Sequence, residues 1–427
     1  MSNKNQIADN KANAIAEKGA ENAGPAAAGA ETANPVEVKA TTSATAARAE
    51  ANTTVEAARV ETARGVSAPY LGIIEGFYGR RYSKLERQYL FDFAHHHGYR
   101  FYIYAPKEDE QLRAKWQQEL SYAYKQELSD MASRAHGANL DFGVALSPLH
   151  LTKNFATEKE LVLKRVSELC QISKCEIFCL LFDDMSKDSE DVGKVQNEII
   201  SKVEQALPSF VKNFIICPAY YTDDPILDKL FGTRPETYFS DLTQNLPERV
   251  EIFWTGPKVL SPDITAEHLA YVTKLLGRKP FIWDNYPVND GKKICRYLYL
   301  EPFAGRRHLT PYITGHAVNP MVQPLLSTLP SVTLPLLYAD ATAEEVVAQY
   351  RAYAHTIFGK AAPELLNQEN LSLLTRVGRD SLSKEELQHL QEIIARDNTP
   401  ALEEIADFLQ GSMRFDQAIV SGTHIID

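Results

Sequence analysis

Eight short apolar runs, separated by longer amphipathic segments, constrain the fold of this 427-residue chain more than any other feature. Each run is rich in β-branched or aromatic residues and ends in polar, Gly or Pro residues. The runs are YLGIIEG (70–76), RFYIYAP (100–106), LDFGVALS (140–147), EIFCLLFDD (176–184), NFIICP (213–218), VEIFWTG (250–256), PFIWDN (280–285) and PYITGHAVNP (311–320). The gaps are mostly ~25 to 40 residues, the size of a strand with its returning helix. Continuous apolar strands alternating with helices indicate a parallel sheet, and eight such units predict an α/β fold, a closed (β/α)8 TIM barrel.

Several intervening segments carry residues that typically begin and end helices. Ser83 opens a segment with an acid three residues later, and Gly98 follows that segment, which is the pattern of a capping box and a glycine C-terminus. The same reasoning predicts a helix that begins at Thr157 and another between Thr265 and Gly277. An open doubly wound sheet is the alternative architecture, but no Gly-rich dinucleotide or phosphate-binding sequence follows any strand.

The two ends of the chain differ in composition from its centre. Residues 1–68 contain 21 alanines and no Phe, Trp, Tyr, Leu or Cys, too little apolar surface to offset the cost of ordering the chain. We therefore predict a disordered Ala-rich tail over 1–68, with a partner-binding or export segment as the alternative. A catalytic barrel is predicted over 69–335, and a helical C-terminal region, able to form a homodimer, over 336–427.

Charge, hydropathy and cysteine usage limit the classes of ligand. The formal net charge is −11 and no stripe of Lys and Arg stands out, so nucleic acid is not an expected partner. No apolar stretch approaches the ~18 residues of a membrane span, and no secretory signal is evident, which predicts a cytoplasmic protein unless the tail directs non-classical export. Cys170, Cys175 and Cys179 lack the close ligand pairs of a zinc site, and no cofactor is expected.

Two adjacent carboxylates, Asp183 and Asp184, follow the fourth apolar run. Neighbouring acids can both reach one pocket only where the strand breaks into a loop, and they then lie on one side of a glycosidic bond. A 2-acetamido sugar could supply its own nucleophile, one carboxylate polarising its N–H and the other protonating the leaving oxygen. Proximity should raise one of the two pKa values. The alternatives are a helix cap or turn, or a divalent metal site with Asp188, Glu190 and Asp191, which we expect instead to begin the next helix.

Several of these stretches resemble motifs of glycoside hydrolase family 84, which contains β-N-acetylglucosaminidases, hyaluronidase-like enzymes and protein O-GlcNAcases. The matching stretches, in the order of the family, are GIIEGFYGRRYS (72–83), YIYAPKEDE (102–110), LLFDDM (180–185), CPAYY (217–221), WTGPKVLSPDIT (254–265), WDNYPVND (283–290), EPFAGR (301–306) and NP (319–320). The resemblance covers roughly residues 70 to 330. It implies the barrel already predicted from the apolar runs.

The resemblance also implies an activity and a set of site residues. The activity is that of a retaining exo-β-N-acetylglucosaminidase, which removes terminal β-linked GlcNAc from glycoconjugates, including O-GlcNAc from proteins. Asp183 matches the residue that orients the acetamido group, and Asp184 matches the general acid and base. The positions that match substrate-binding residues are Gly76, Lys107, Cys217, Tyr221, Thr255, Trp283, Asn285, Asp290 and Asn319. Four of them, Cys217, Tyr221, Thr255 and Trp283, would line the acetyl pocket.

The chain departs from the family pattern on two loops. Arg81-Tyr82 replaces Pro-Trp in the opening motif, and Glu110, Gln111 and Leu112 replace Pro, Tyr and His in the second. We expect both changes on the rim, where they would affect leaving-group preference. Two other functions remain open: a non-catalytic sugar-binding barrel and a metal-dependent barrel hydrolase.

Overall fold

The computed structural model describes residues 69–185 and 191–412. The predicted tail over 1–68 lies outside the described residues, and so do Asp188, Glu190 and the last residues of the predicted C-terminal region.

Within the described residues, eight parallel strands close into a barrel in chain order, as predicted. The strands are β1 (Tyr70–Glu75), β2 (Phe101–Tyr104), β3 (Asp141–Leu146), β4 (Ile177–Leu181), β5 (Asn213–Cys217), β6 (Val250–Trp254), β7 (Phe281–Asp284) and β8 (Gly315–Val318). Each lies inside its apolar run. The eighth run is the least regular, because a 3-10 turn at Thr310–Tyr312 precedes the strand. Closure pairs β1 with β8, for example Gly72 with Ala317.

Helices surround the barrel and continue beyond it. They are α1 (Lys84–His96), α2 (Tyr122–Gly137), α3 (Leu151–Ser173), α4 (Val192–Ala206), α5 (Ile226–Phe231), α6 (Tyr238–Thr243), α7 (Ala266–Leu276), α8 (Pro324–Ser331), α9 (Leu334–Tyr338), α10 (Ala343–Phe358), α11 (Ala362–Leu365), α12 (Gln368–Ser372), α13 (Lys384–Ile394) and α14 (Pro400–Leu409). The predicted capping box at Ser83 is present, and Thr265 and Gly277 bound α7. None of these described helices is both long and apolar enough to cross a bilayer.

The prediction that a helix begins at Thr157 is wrong. Helix α3 begins six residues earlier, after His150, which has a left-handed φ of 65° and makes no side-chain cap. Leu151 and Phe155 are buried, so the apolar face of the helix extends back past the expected cap. Thr157 lies inside the helix, where its hydroxyl donates to the Asn154 carbonyl at 3.0 Å.

Aromatic side chains fill the amino-terminal end of the barrel. The rings of Phe101 and Phe281 lie 5.8 Å apart between their centroids, and both are fully buried. The space for Phe101 exists because position 72 is glycine, where an added Cβ would fall 2.2 Å from the ring. The barrel is therefore packed at this end and can open into a cavity only at the other.

A buried ion network fastens β7 to β8 and to the loop that precedes β8. The guanidinium of Arg306 donates to both carboxylate oxygens of Asp284, at 2.8 and 2.9 Å. His316 Nε2 lies 3.1 Å from the same carboxylate, and His316 Nδ1 lies 2.8 Å from the Tyr338 hydroxyl. Burial opposes ionisation of Asp284, but Arg306 and His316 outweigh it and hold the pKa of this carboxyl well below its usual range.

The C-terminal helices pack against the barrel. Glu404 on α14 accepts hydrogen bonds from the backbone N–H groups of Leu325 and Leu326, at 3.1 and 2.9 Å, in the first turn of α8. A carboxylate there satisfies amides that the helix leaves unpaired. The predicted boundary between residues 335 and 336 falls inside α9, so the division into barrel and appendix stays a prediction, as does dimerisation.

Candidate active site

A cavity lies at the carboxyl ends of the strands. Its volume is about 640 Å³, which includes the open space at its mouth. Its lining comprises Gly76, Tyr78, Lys107, Asp183, Asp184, Cys217, Tyr221, Thr255, Val259, Leu260, Trp283, Asn285, Val288, Asp290, Gly291, Ile294 and Asn319. All eleven residues proposed from the sequence are in this set. Cys217 and Trp283 lie at the carboxyl ends of β5 and β7. The other nine follow β1, β2, β4, β5, β6, β7 or β8, so the barrel brings together positions that are far apart in sequence.

The two adjacent aspartates reach the cavity because the chain turns sharply after β4. The strand ends at Leu181, and Asp183 and Asp184 lie in a turn. Asp184 has a left-handed φ of 56°, a conformation that Asp tolerates better than most residues. Side chains that would alternate across a strand therefore face the same space.

Asp183 is buried and asymmetrically bonded. Its Oδ2 accepts a 2.5 Å hydrogen bond from Lys107 Nζ, and both side chains are almost fully enclosed. Its Oδ1 is also buried but has no hydrogen-bond partner within the described chain. A buried carboxylate oxygen without a donor is costly, so this atom is suited to accept an N–H from a bound molecule.

The carboxylate of Asp184 accepts its hydrogen bonds from hydroxyl groups, whereas that of Asp183 accepts one from a cation. Its Oδ2 accepts a hydrogen bond from the Tyr78 hydroxyl at 2.9 Å, and its Oδ1 accepts one from the Tyr221 hydroxyl at 2.8 Å. Burial and the neighbouring charge of Asp183 raise the pKa of Asp184, although Lys107 and Arg113 act in the opposite direction. A raised pKa was predicted for one carboxyl of the adjacent pair, and the structure assigns it to Asp184.

Trp283 forms one wall of the cavity, and its position depends on Gly76. An added Cβ on Gly76 would lie 2.4 Å from the indole ring. Lys107 Nζ lies 5.6 Å from the centroid of the same ring. Beside this wall, burial and the charge of Asp183 raise the pKa of Cys217 far above its usual range, so Cys217 contributes a neutral thiol surface.

A chain of amide groups continues from Trp283 along the cavity. Asn285 Oδ1 accepts from Trp283 Nε1 and from Asn319 Nδ2, each at 3.0 Å. Asn319 Oδ1 in turn lies 3.3 Å from the Gly76 amide nitrogen, which donates to it. These hydrogen bonds hold the backbone after β1, Trp283 of β7 and the two asparagines after β7 and β8 in fixed relative positions.

Asp290 is a third acid at the cavity, and it is half-buried. Its Oδ2 accepts the backbone N–H of Tyr78 at 2.8 Å. Burial, partly offset by that hydrogen bond, and the charge of Asp184 raise the pKa of Asp290 to about 6. The carboxyl is thus suited to strong hydrogen bonding with neutral donors such as sugar hydroxyls.

Sequence reasoning missed six lining residues. Tyr78 is the most important of them because its hydroxyl donates to Asp184, and it lies two positions after Gly76 in the stretch GIIEGFYGRRYS. The others are Val259, Leu260, Val288, Gly291 and Ile294. Nothing in their composition distinguishes them from ordinary loop residues.

The residues that depart from the family pattern are not among those that line the cavity, and their effect on leaving-group preference stays a prediction. Arg81 pairs with Asp109 at 3.2 Å and with Glu127 at 3.0 Å, toward helix α2. Tyr82 is buried, and its hydroxyl donates to the Met321 carbonyl. Leu112 is buried as well. These substitutions alter how the loops are anchored behind the rim.

Metal-ligand geometry is not found in the described part of the chain. No group of three or more His, Cys, Asp or Glu side chains there could hold a metal ion. Cys170, Cys175 and Cys179 are buried free thiols.

Comparisons with known proteins place the chain in a family. A family model described as beta-N-acetylglucosaminidase matches residues 71–369. The Protein O-GlcNAcase of Mus musculus is 33 % identical over 276 residues, a match covering 62 % of this chain and 29 % of the mouse protein. The Rattus norvegicus protein of the same name is 32 % identical over the same length and shares. The chain therefore matches less than a third of these two relatives.

A solved structure agrees with the sequence matches. A mutant of Thermobaculum terrenum O-GlcNAc hydrolase superposes with a TM-score of 0.65 and 26 % identity, over 80 % of each chain. The family model spans most of the barrel and the first C-terminal helices, and the structural match covers a comparable share. The chain belongs to the β-N-acetylglucosaminidase family, glycoside hydrolase family 84, and carries its glycoside hydrolase domain.

Proposed function

We propose that this chain is a retaining exo-β-N-acetylglucosaminidase in which the 2-acetamido group of the substrate is the nucleophile. The observation that carries the proposal is the pair Asp183 and Asp184. The two carboxylates are adjacent, face one cavity, and have different surroundings: one is bonded to Lys107, the other to two tyrosine hydroxyls. A carboxyl paired with a cation beside a carboxyl whose pKa is raised suits this chemistry.

In the first step, the acetamide oxygen attacks the anomeric carbon as the bond to the leaving oxygen breaks. The substrate N–H donates to Asp183 Oδ1, the atom that has no partner within the described residues. This contact orients the acetamide and stabilises positive charge that develops on its nitrogen. Asp184 transfers its proton to the leaving oxygen, and the cyclised acetamide remains as an oxazolinium ion, the N-protonated form of an oxazoline, with its N–H still donated to Asp183.

In the second step, Asp184 accepts a proton from water as that water attacks the anomeric carbon and reopens the oxazoline. Two inversions at one carbon give net retention. The raised pKa of Asp184 suits the acid step, because a carboxyl that holds its proton more tightly is more often protonated when the leaving oxygen needs it.

The rest of the cavity would select the terminal sugar. Trp283, Cys217 and Thr255 provide a wall beside Asp183 that would hold the acetyl methyl and exclude bulkier acyl groups. Asp290 and Asn285 would hydrogen-bond the distal hydroxyls. We propose that substrates are glycoconjugates with terminal β-linked GlcNAc and, because two relatives are named Protein O-GlcNAcase, that O-GlcNAc on proteins is one of them.

The test compares substrates that differ only at the sugar 2-position. We expect hydrolysis of 4-nitrophenyl N-acetyl-β-glucosaminide with retention by NMR, and a rate that falls at least ~10-fold across the N-acetyl, N-fluoroacetyl and N-difluoroacetyl series, since fluorine weakens the oxygen nucleophile. Asp183→Asn should lose activity with every member. Equal cleavage of the 2-hydroxy glucoside, or a trapped sugar–protein bond, would refute the mechanism. Binding without turnover would indicate a sugar-binding barrel, and loss of activity in a chelator would indicate a metal-dependent hydrolase.

A panel of an O-GlcNAc peptide and a GlcNAc-terminated glycan, assayed under matched conditions, would test the natural aglycone. We expect release of GlcNAc from the peptide. Release from the glycan alone would refute the assignment of O-GlcNAc proteins while leaving the chemistry intact.

A further inference from the structure

Arg113 is a buried arginine behind the general acid. It follows β2 on the loop that carries Lys107, and only 5 % of its surface is exposed. Arg113 is not part of the cavity lining, so any influence on the reaction must act through another residue.

The guanidinium of Arg113 joins three loops of the barrel. Nη1 donates to the Ser147 hydroxyl, just after β3, at 2.6 Å. Nη2 donates to the backbone carbonyl of Asp184 at 3.2 Å and lies 3.5 Å from the Tyr78 hydroxyl. The carbon of the guanidinium lies 5.9 Å from the Tyr78 ring centroid. One side chain therefore contacts the backbone of Asp184 and a tyrosine that bonds its carboxylate.

We propose that Arg113 is the positioning residue of the general acid: it secures the left-handed turn at Asp184 and places a fixed positive charge behind that carboxyl. This inference rests on the proposed function, since it assigns Arg113 a part in the acid and base steps. It goes beyond that function by identifying what sets the geometry and acidity of Asp184.

The geometric part follows from the backbone at Asp184. A left-handed conformation is unfavourable for a residue with a side chain and persists only where its surroundings support it. The donor from Arg113 to the Asp184 carbonyl is such a support, and Ser147 fixes the direction of the guanidinium. Without it the turn could relax, and Asp183 and Asp184 would cease to face the same space.

The electrostatic part follows from the groups that face Asp184. They are the acids Asp183 and Asp290, the cations Lys107 and Arg113, the hydroxyls of Tyr78 and Tyr221, and the thiol of Cys217. Lys107 is already bonded to Asp183. Arg113 is the other cation opposing the rise in the pKa of Asp184 caused by burial and Asp183. Removing its charge should therefore raise that pKa further.

Two variants separate the charge from the geometry. Arg113→Gln keeps a donor amide but removes the charge, whereas Arg113→Lys keeps the charge but loses the forked donor pair. For Arg113→Gln we expect the alkaline limb in a plot of kcat/KM against pH to shift to higher pH by roughly one pH unit. For Arg113→Lys we expect the alkaline limb to stay at its wild-type position while kcat/KM falls. The fall in kcat/KM should be at least ~10-fold greater for an alkyl glycoside than for the nitrophenyl substrate.

Arg165→Gln is the matched control. Arg165 is also a buried arginine, and it donates to the Trp116 carbonyl at 2.9 Å, at the far end of the same loop. We expect this variant to lose thermal stability with an unshifted alkaline limb. An unshifted limb in Arg113→Gln, or an equal shift in both variants, would overturn the inference.

Ser147→Ala keeps the test decisive if Arg113→Gln does not fold. It removes only the hydroxyl that directs the guanidinium, so we expect the alkaline limb to move to higher pH by less than in Arg113→Gln. If the limb does not move in Ser147→Ala, the result counts against a positioning role for Arg113. If the wild-type protein does not cleave the N-acetyl substrate, the proposed function fails. If wild type cleaves it and the limb does not move, this inference alone fails.

Discussion

Replacing Gly76 with alanine should displace Trp283 from the cavity wall. The backbone at Gly76 is outside the left-handed region, so the methyl adds no backbone strain. It would lie 2.4 Å from one ring carbon of Trp283 and 2.8 Å from the next. Because ordinary contacts begin near 3.4 Å, the indole must retreat by about 1 Å.

A retreat of this size should be expensive for catalysis. The indole forms the wall beside Asp183, and its Nε1 donates to Asn285, so both the acetyl pocket and a hydroxyl-binding amide would shift. A misplacement of about 1 Å can cost ~10²-fold in rate. We expect kcat/KM for 4-nitrophenyl N-acetyl-β-glucosaminide to fall ~30- to 100-fold, equivalent to ~2 to 3 kcal/mol of transition-state stabilisation.

Gly137→Ala is the control, since an added Cβ there meets nothing within 4 Å. It should leave kcat/KM unchanged. The double variant Gly76→Ala with Trp283→Phe should be less impaired than the product of the two single effects, because a smaller ring leaves room for the methyl. Activity within twofold of wild type in a folded Gly76→Ala protein would refute the steric reasoning.

Three further outcomes follow from buried acids. Asp184→Ala should slow hydrolysis of an alkyl glycoside at least ~10-fold more than hydrolysis of a 4-nitrophenyl glycoside, since a good leaving group needs little protonation. Equal losses of kcat/KM for the two substrates in steady-state assays would contradict the role of Asp184 as the acid. Arg306→Met should cost ~3 to 5 kcal/mol of unfolding free energy at pH 7, because it leaves the buried Asp284 carboxylate with only His316 as a partner among the described residues. Because the pKa of Asp284 is lowered in the fold, this stabilisation is present above pH ~4 and is lost as the pH falls further. Urea titrations should therefore show the stability difference between wild type and variant narrow below pH ~4. Burial raises the pKa of Glu404 to about 8, so its favourable contribution to stability is complete below pH ~4.5 and is lost as the pH rises to about 8. Glu404→Gln should remove this dependence of unfolding free energy on pH. A variant whose stability changes with pH in parallel with wild type would contradict the prediction.

The barrel could be predicted from the sequence because its strands are buried on both faces. Every residue of Ile177–Leu181 is buried, so the apolar run carries no alternation that could be mistaken for an exposed strand. The candidate residues followed because the carboxyl ends of parallel strands meet on one rim. Motif resemblance then assigned positions on separate loops, such as Asp290 and Asn319, that spacing alone could not bring together.

Local cap signals were less reliable, and contacts between loops could not be read at all. Thr157 and Glu160 have the spacing of a capping box, but burial of Leu151 and Phe155 outweighs a single cap and starts the helix earlier. Tyr78 and Arg113 meet Asp184 across 106 and 71 positions of sequence. No pattern within either loop reports such a partner, because the contact depends on how three loops fold back over the barrel.

Closure of the barrel makes the site depend on the last strand to be synthesised. Gly76 donates to Asn319 across 243 positions, and β1 has no neighbour on one side until Gly315–Val318 leaves the ribosome. A nascent chain halted before that point would already contain both aspartates but would have two open sheet edges, which favour aggregation. Enzymatic competence should therefore emerge late and abruptly during translation, after the final βα unit clears the exit tunnel.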